Sequence, residues 1–415
     1  MNILFLTDNF PPETNAPATR THEHARQWVA AGHQVTVLTN VPNFPAGRVF
    51  PGYRNKLRQR EAMDGIRVVR VWTYVTANEG FFRRSLDYFS FGASSVIGGL
   101  FLRAPDVIVA TSPQIFTALG ACILAWIKRR PFVFELRDLW PDSIVAVGAM
   151  REGPLLRTLR RIEYGLYRRA AKIVSVTNSF KRILVANGIP QGKIAVIRNG
   201  VDLEAFAPGP KPVELARRLG LEGKFVAAYV GTIGMAHGLD VLLAAAEHLR
   251  DRGNLAFVLV GTGAERARLE QEAKRRGLDR VIFVGPVDKA EVKRYWRLCD
   301  LALVLLKDAP VFHHVIPSKI FEAMGTGRPI VLGVRGESEE LLKEAGAGIA
   351  IPPENSQALA EGILRIMDSP ALCRDMGASG RRFVETKFDR RGRALEMLNV
   401  LEEVVASTNR AEARA

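Results

Sequence analysis

Short apolar runs alternate with amphipathic helical segments along the chain, and this alternation restricts the possible folds more than any other feature. Asn2 to Thr7 forms an apolar run, Ala18 to Ala31 has helical periodicity, and His33 to Thr39 is apolar again. Strands that alternate with helices in this way form a parallel sheet with helices on both faces. The pattern therefore predicts an α/β fold that begins with a βαβ unit.

The alternation starts again in the second half of the chain, at Phe225 to Val230. Prolines and glycines cluster between Asn199 and Pro212, which is typical of a domain junction. A chain of 415 residues is long enough for two cores. We therefore predict a first domain at residues 1–200, a second at 201–385, and a C-terminal helix at 386–415 that returns to the first domain and ends in a frayed tail.

The positive charge is concentrated in the first half. The net charge is +15, of which the first 205 residues carry +12. A basic domain binds an anionic partner, such as a phosphorylated substrate, acidic lipid or nucleic acid. We expect no nucleic acid, because the basic residues do not accompany a recognisable reading module.

The cysteines and the apolar runs bear on the compartment. Cys122, Cys299 and Cys373 are too far apart in sequence for a zinc site or a disulfide framework, which indicates a reducing compartment. We see no secretion signal and no apolar run long enough to span a bilayer. These features predict a cytoplasmic protein.

Two segments of the first half have two interpretations each. Tyr88 to Leu102 is apolar and follows Arg83 and Arg84. It is either a core helix or a helix that lies at a membrane surface, with the two arginines facing lipid phosphate. A basic helix is predicted at Pro154 to Ala171. Its basic side chains either face solvent or contact phosphate groups or a membrane.

A stretch in the second half, Pro317 to Ile330, predicts a helix that begins at an anion site. It follows the buried strand Leu301 to Leu306, and the helix is expected from about Ser318 to Met324. Ser318 could satisfy free backbone amides, Lys319 adds a positive charge, and Glu322 could accept hydrogen bonds from a sugar diol. The alternative is a capped surface helix.

Two glycine loops support the anion site. Gly231 to Gly238 follows the first strand of the second domain, and Gly261-Thr262-Gly263 follows the next strand. Loops that follow parallel strands meet at one edge of the sheet, so their convergence predicts a diphosphate ligand. His237 could bind a phosphate, although a lone histidine is more often structural.

The first domain offers two polar loops at the ends of its strands. The loop Asp8 to Pro17 contains Glu13 and Asn15, which we expect on the acceptor side of a ligand site. The loop Arg137 to Asp142 holds an arginine beside aspartates, which predicts either a structural salt bridge or a ligand role. No metal-ligand pattern and no covalent catalytic motif is visible, which favours catalysis by positioning and electrostatics.

Several motifs together resemble a known family. Pro11-Pro12, the junction Asn199-Gly200-Val201-Asp202 and the stretch from Pro317 to Pro329 resemble family 4 glycosyltransferases of GT-B architecture. Within that family, Glu135 to Asp142 and Thr111-Ser112-Pro113 resemble the bacterial subgroup that builds surface polysaccharide, including the O-antigen fucosamine transferases.

The resemblance implies two Rossmann-like, doubly wound domains that face a central cleft. It implies retaining, metal-independent transfer, without a cofactor, from a nucleotide-sugar, commonly a UDP-linked N-acetylated hexosamine or deoxyhexosamine. The acceptor would be a saccharide or a polyprenyl-diphosphate-linked sugar. The protein would lie peripherally on an anionic membrane surface, at the inner face of the cell membrane.

Residue roles follow from the same resemblance. Glu322 matches the glutamate that holds the ribose, the backbone from Ile316 to Lys319 matches the segment at the diphosphate, and Gly231 to Gly234 match the phosphate loop. The donor-binding set is Gly231, Thr232, Gly234, His237, Gly261, Ile316, Pro317, Ser318 and Glu322.

Three positions depart from the family pattern. The Gly231 loop has no arginine, and His237 stands near the position of the family lysine. His314 replaces a glutamate, and Arg137 replaces a histidine. The role of polarising the donor therefore falls to three catalytic candidates, which are Arg137, Asp138 and Lys319.

Two alternative functions stay open at this point. One is a nucleotide-sugar 2-epimerase of the same fold, which would need acid and base carboxylates. The other is a non-catalytic sugar-nucleotide-binding component of a polysaccharide assembly complex, which the departures from the family pattern would explain.

Overall fold

The computed structural model describes residues 1–44, 46–76, 81–146, 148, 150 and 152–413. The chain divides into two compact units. The first unit comprises residues 1–198 and 391–415, and the second comprises residues 199–390. Each unit is described here by itself.

The strands follow the predicted alternation with helices. In chain order they are Asn2–Leu6 (β1), Gln34–Asn40 (β2), Arg58–Met63 (β3), Ile66–Val71 (β4), Val107–Thr111 (β5), Phe132–Leu136 (β6), Lys172–Ser175 (β7), Ile194–Val196 (β8), Phe225–Val230 (β9), Leu255–Val260 (β10), Val281–Gly285 (β11), Leu301–Leu305 (β12), Ile330–Gly333 (β13) and Gly348–Ala350 (β14).

The helices cover the faces of the two sheets. In chain order they are Ala16–Ala30 (α1), Phe81–Leu100 (α2), Ile115–Lys128 (α3), Asp142–Ala146 (α4), Pro154–Arg169 (α5), Asn178–Ala186 (α6), Val213–Arg218 (α7), Asp240–His248 (α8), Arg266–Arg275 (α9), Lys289–Leu298 (α10), Lys319–Gly325 (α11), Glu337–Ala345 (α12), Ser356–Met367 (α13), Pro370–Lys387 (α14) and Arg390–Glu412 (α15).

The first unit is built on an eight-stranded sheet in the order β3-β4-β2-β1-β5-β6-β7-β8. The neighbouring strands are parallel except for β3 and β4, which are antiparallel. Helix α15 contributes to the core of this unit, because Met397, Leu398 and Leu401 pack with residues of β1 and β2. The Trp28 indole also donates a hydrogen bond of 2.8 Å to the carbonyl of Ala394.

The sequence pattern did not reveal strand β3. Its residues, from Arg58 to Met63, are mostly polar, so their run lacks the apolar alternation of a half-buried strand. The strand lies at the edge of the sheet and pairs only with β4 among the described residues. Charged side chains are common on edge strands, where they discourage pairing with other chains.

The second unit is built on a six-stranded parallel sheet in the order β11-β10-β9-β12-β13-β14. Its core includes Tyr229 of β9, Phe257 of β10 and Leu303 of β12. The strand order reverses between β9 and β12, as it does between β1 and β5 in the first unit. The predicted pair of doubly wound α/β sheets is thus confirmed.

Helices α2 and α3 pack closely on each other, because glycines line their contact. A Cβ at Gly92 would lie 2.8 Å from the carbonyl oxygen of Phe116, and one at Gly120 would lie 2.9 Å from that of Gly92. The segment predicted as either core or membrane-facing therefore has a packed face. Its other face is exposed, with Phe89 at 58% and Ile97 at 61%. Among the described residues, no helix combines the length and apolar character needed to cross a bilayer.

Candidate functional site

Four loops of the second unit meet at the carboxyl edge of its sheet, where the strand order reverses. The backbone N–H of Ile233, after β9, donates to the carbonyl of Thr262, after β10, over 2.9 Å. The N–H of Gly261 donates to Gly285 at the end of β11, over 2.8 Å. The N–H of Lys307, after β12, donates to Ala236 over 2.9 Å. Open α/β sheets bind their ligands at this kind of reversal.

Gly261 is needed for this joining of loops. Its φ is +137°, and a Cβ at this position would collide with the carbonyl oxygen of Gly231. A side chain would therefore push the β9 and β10 loops apart. The two glycine loops meet at one edge, as the sequence predicts.

Lys319 brings a positive charge to the β9 loop from a different element. Its ammonium lies 3.7 Å from the centre of the Tyr229 ring in β9. A Cβ at Gly231 would lie 3.0 Å from the same Nζ. The ammonium is shielded from solvent and makes no hydrogen bond within the described part of the chain. A buried cation in this state has room in its coordination for an anion.

Burial lowers the pKa of Lys319 to about 7, although the nearby Glu322 opposes the shift. Burial also lowers the pKa of His237 to about 3, and the Lys319 charge contributes to this shift. His237 is therefore neutral at pH 7, and its Nδ1 lies 3.3 Å from the carbonyl oxygen of Gly234. Of these two residues, Lys319 can carry positive charge at pH 7 and His237 cannot.

Glu322 lies one turn after Lys319 on α11, so both side chains are on one side of the helix. Its carboxylate accepts a hydrogen bond of 3.0 Å from the indole of Trp296 in α10. Trp296 is fully buried, so it holds the carboxylate in a fixed position. Sequence analysis missed both residues, because Tyr229 is part of the apolar strand β9 and Trp296 is an apolar residue of the amphipathic helix α10.

The start of α11 differs from the prediction. Ser318 precedes the helix in a helical conformation and makes no side-chain capping hydrogen bond, so the predicted cap is wrong. Ile316 is buried, whereas Pro317 and Ser318 are half-buried. The helix has only seven residues. A helix this short contributes only a small dipole to the attraction of an anion.

Thr232 and His314 lie in loops that follow β9 and β12 of the same unit. Thr232 is exposed, and its carbonyl accepts a hydrogen bond of 2.6 Å from the Tyr229 hydroxyl. His314 ends a short helical turn at Pro310–His314. Its neighbour His313 is 2.8 Å from Asp308, after β12.

Arg137 and Asp138 follow β6 in the first unit. The Ser112 hydroxyl, after β5, accepts hydrogen bonds from both of their backbone N–H groups, over 2.7 and 3.2 Å. Burial raises the pKa of the Asp138 carboxyl. Asp142 pairs with Arg160 of α5 at 2.6 Å, so the second aspartate of this loop has a structural partner.

The Glu135 carboxylate, at the end of β6, forms a buried ion pair that the sequence did not indicate. It lies 2.7 Å from the Arg20 guanidinium of α1. Arg20, with Arg137 and His24 nearby, lowers the pKa of Glu135 to about 2 against the opposing effect of burial. This pair ties α1 to the loop that carries Arg137.

Glu13 and Asn15 have structural partners in the loop after β1. Glu13 accepts hydrogen bonds of 2.8 Å from the backbone N–H groups of Asn43 and Phe44. Asn15 caps α1 by accepting from Ala18, and it donates to Asn9 over 2.7 Å. Their predicted place on the acceptor side stays a prediction.

Across the described ranges, the His, Cys, Asp and Glu side chains form no group of three that could hold a metal ion.

Two family models match the chain, one in each half. Residues 15–200 match the glycosyl transferase 4-like domain, and residues 214–383 match the glycosyl transferases group 1. A putative colanic acid biosynthesis glycosyl transferase, WcaI of Escherichia coli K12, is 26% identical over 410 residues. That match covers 96% of this chain and 99% of WcaI.

Solved structures resemble the whole chain. Sucrose-phosphate synthase of Thermosynechococcus elongatus gives a TM-score of 0.76 at 20% identity, and the match covers 98% of this chain and 99% of that one. HepE of Anabaena in complex with UDP-glucose gives 0.73 at 20% identity, covering 97% and 100%. At 20% identity, both likenesses show a shared fold and nothing more.

We predict that Gly261→Ala loosens the joined loops. The added methyl meets the carbonyl oxygen of Gly231, and we expect the protein to lose about 2 kcal/mol of stability or more. Thermal and urea unfolding of the full chain would measure this loss. Gly277→Ala is the matched control, because Gly277 also has a positive φ, of +63°, but no atom within 4 Å of an added Cβ. Equal losses in the two variants would contradict the packing explanation.

Proposed function

Because the chain belongs to the family 4 glycosyltransferases of GT-B fold, we propose that it transfers a sugar from a nucleotide-sugar to a lipid-linked or saccharide acceptor during surface polysaccharide synthesis. The name of WcaI, which refers to colanic acid biosynthesis, supports the polysaccharide context. The HepE complex with UDP-glucose supports a UDP-linked donor. We propose transfer with retention of configuration and without a metal ion.

The observation that carries this proposal is the buried ammonium of Lys319. A cation without a hydrogen-bond partner in a shielded position is costly, and an anionic ligand would compensate it. The loop from Gly231 to Gly238 has no lysine or arginine, and His237 is neutral. In our proposal Lys319 supplies the charge that this loop lacks, and it binds the donor diphosphate.

The same charge would assist the reaction. When the bond between sugar and diphosphate breaks, negative charge accumulates on the departing diphosphate. A cation already placed at the Gly231 loop stabilises this charge without reorganising. The backbone of Ile316 to Lys319 and of Gly231 to Gly234 would hold the diphosphate oxygens.

Glu322 would bind the nucleotide ribose. The Glu322 carboxylate is held by the Trp296 indole. A carboxylate accepts hydrogen bonds through two oxygens, and a ribose diol offers two hydroxyl donors. In our proposal Arg137 and Asp138 of the first unit, together with Lys319, polarise the donor. The comparisons give no support to the 2-epimerase alternative.

We further propose that the first unit lies on an anionic membrane through an apolar stripe on α2 and α3. The stripe consists of exposed apolar side chains, which are Leu86, Phe89, Ile97, Leu100, Phe101, Ile123, Trp126 and Ile127. On α2 Leu86, Phe89, Ile97 and Leu100 lie on one face, with the exposed Ala93 between Phe89 and Ile97. A helix exposed to water normally has polar residues on such a face. Trp126 is 80% exposed and Phe101 is 71% exposed.

The two parts of the stripe are joined at one end. The Lys128 ammonium of α3 donates hydrogen bonds to the carbonyls of Leu100 and Leu102, over 3.3 and 2.9 Å. Arg83, Arg103 and Arg129 are exposed close to the stripe in sequence. Apolar side chains flanked by cations suit the interface of an anionic bilayer, where each basic residue contributes about 1 kcal/mol. Such a surface would bring the enzyme to a lipid-linked acceptor.

Donor turnover tests the proposed function. UDP-sugars and GDP-sugars are incubated with a polyprenyl-diphosphate-linked sugar, nucleotide release is measured, and proton NMR gives the anomeric configuration of the product. We expect UDP release that depends on acceptor, with a retained anomer. We expect Glu322→Ala to weaken UDP-glucose binding by roughly tenfold or more, since it removes hydrogen bonds to a charged group.

Glu344→Ala, at an exposed position of α12, is the control for Glu322→Ala and should bind UDP-glucose as the unchanged protein does. UDP-sugar binding without turnover across the acceptor panel would support the non-catalytic alternative. An inverted product would refute retention, and unchanged binding by Glu322→Ala would refute the ribose assignment.

The pKa of Lys319 predicts how donor affinity depends on pH. The charged lysine binds the diphosphate, and the free site loses this charge as the pH rises above about 7. UDP-glucose keeps the charge of its diphosphate from about pH 6 to 8. We therefore expect its dissociation constant to be nearly constant below pH 7 and to rise by up to about tenfold per pH unit above it.

Titration calorimetry between pH 6 and about 8.5 would measure this slope. Lys319→Met should bind more weakly and lose the rise that begins near pH 7. His237→Gln should keep that rise, because His237 is already neutral throughout this range. The same rise in Lys319→Met would show that another group titrates.

The membrane proposal predicts that apolar substitutions in the stripe release the protein from vesicles. The double variant Phe89→Ser with Trp126→Ser should bind vesicles of phosphatidylcholine with phosphatidylglycerol at least roughly tenfold more weakly, because it removes two aromatic anchors. Flotation assays would measure binding. Val213→Ser, at a 60% exposed position of the second unit, is the control. Unchanged flotation of the double variant would refute docking through the stripe.

A further inference from the structure

Helix α5 of the first unit buries a carboxyl group that the proposed reaction does not use. Glu163, in the middle of the helix, is 6% exposed. Its Oε1 accepts a hydrogen bond of 2.5 Å from the hydroxyl of Tyr167, one turn further along α5. Within the described ranges this is its one hydrogen bond, and no arginine or lysine there forms an ion pair with it. A buried carboxyl group in this setting is costly unless it is neutral.

Aromatic rings fix the partner of Glu163. Tyr167 is fully buried, and its ring packs edge-on against Phe134 of β6, with 5.3 Å between the ring centres. Tyr164 packs against Tyr167 in the same manner at 5.4 Å. The hydroxyl of Tyr167 therefore has little freedom, and the carboxyl group that it binds is held in one place beside α5.

Two aspartates of the loop after β6 lie near this carboxyl group. Burial raises the pKa of Glu163 to about 8, and the charges of Asp142 and Asp138 add to this shift. The Tyr167 hydrogen bond and the Arg160 charge oppose it. Glu163 is therefore protonated at pH 7. Because Oε1 accepts from Tyr167, the proton belongs on Oε2.

Arg160, three residues before Glu163 on α5, supplies positive charge here but is bound to other carboxylates. Its guanidinium lies 2.6 Å from Asp142 and 2.8 Å from Glu152. Helix α5 thus meets the loop after β6 in two ways, through a charged pair at Asp142 and through a neutral acid near Asp138.

Helix α3 and strand β6 pack against α5, and their titratable groups have other neighbours. These groups are Lys128, which donates to the carbonyls of Leu100 and Leu102, Glu135, which pairs with Arg20, and Cys122, which lies near Arg169. On α5 itself, burial raises the pKa of the Tyr164 hydroxyl, and the charge of Glu163 adds to that shift. The charge state of Glu163 therefore acts on the two aspartates, on Arg160 and on the two tyrosines.

From this geometry we propose that Glu163 is a positioning residue for the loop after β6. As a neutral acid it lets Asp138 and Asp142 lie close to α5, whereas as a carboxylate it would repel both and loosen the loop. Asp138 is among the groups that we propose to polarise the donor, so loosening would slow transfer. The effect on transfer rests on the proposed function, whereas the effect on the loop does not.

A second contact of the loop makes such loosening measurable. The Ser112 hydroxyl accepts hydrogen bonds from the backbone N–H groups of Arg137 and Asp138. Backbone N–H groups that are held in this way exchange their hydrogen slowly with solvent, and local opening speeds the exchange. Glutamine has nearly the size of glutamic acid and keeps an acceptor for Tyr167, but it cannot ionise. Glu163→Gln should therefore keep the loop closed at high pH.

Infrared difference spectroscopy of the full chain tests whether Glu163 holds a proton. Spectra are taken between about pH 6.5 and 9.5, and the band of protonated carboxyl groups is followed. We expect the unchanged protein to lose a carboxyl band with a midpoint near pH 8, and Glu163→Gln to lack this loss. Tyr167→Phe should move the midpoint to higher pH, because the hydroxyl bond favours the carboxylate. The same band loss in Glu163→Gln would overturn the inference.

Hydrogen exchange followed by mass spectrometry tests the loop. In the peptide from Arg137 to Asp142, exchange should be equal in the unchanged protein and in Glu163→Gln at about pH 6.5, and at least roughly fivefold faster in the unchanged protein at about pH 9. Glu403→Gln, at an exposed position of α15, is the matched control and should exchange as the unchanged protein does. Equal exchange in the unchanged protein and Glu163→Gln at about pH 9 would contradict the positioning role. Thermal unfolding reports whether each variant folds.

Sugar transfer separates this inference from the proposed function. At saturating UDP-sugar, kcat of the unchanged protein at about pH 9 should be roughly fivefold or more below that of Glu163→Gln. The KM for the donor should be similar in both, because both proteins keep Lys319. A fall of kcat with pH that Glu163→Gln repeats would rule out the positioning role. Loop exchange that depends on Glu163, in a protein that transfers no sugar, would support the positioning of the loop and remove the transferase.

Discussion

Each unit depends on one constraint, which is the reversal of strand order in a parallel sheet. The helices that follow the two strands at the reversal lie on opposite faces of the sheet. The loops after those strands therefore run in opposite directions, and a crevice forms between them. In the second unit this reversal lies between β9 and β12, and in the first it lies between β1 and β5. Chemically distinctive side chains of both units lie at these edges.

Burial disfavours the charged form of ionisable side chains at both edges. In the second unit the cation is the Lys319 ammonium of α11, which packs against the Tyr229 ring. Its burial away from solvent lowers the pKa of Lys319 from 10.5 to about 7. A shift of this size means that the charged form is disfavoured by roughly 5 kcal/mol relative to water. An anion that restores the charge recovers part of this free energy as affinity. In the first unit burial raises the pKa of the Asp8 and Asp87 carboxyl groups.

The sequence was sufficient to predict the fold because parallel strands are apolar on both faces and glycine loops follow them. It was also sufficient to predict that the Gly231 and Gly261 loops meet near α11. It did not reveal β3, because an edge strand of mostly polar residues has no core-facing pattern. It did not identify Tyr229 and Trp296 as partners of Lys319 and Glu322, because those contacts join residues that are 90 and 26 positions apart in sequence.

The position of Lys319 shows how a second element can bring a cation to a loop that has none. A cation in the Gly231 loop would approach a ligand from the end of β9. Lys319 approaches the same loop from α11, and a Cβ at Gly231 would lie only 3.0 Å from its Nζ. Electrostatic stabilisation depends on where a charge is, and not on which element carries it. The missing arginine of the loop is therefore weak grounds for inferring a lost activity, as long as another element of the same edge provides the charge.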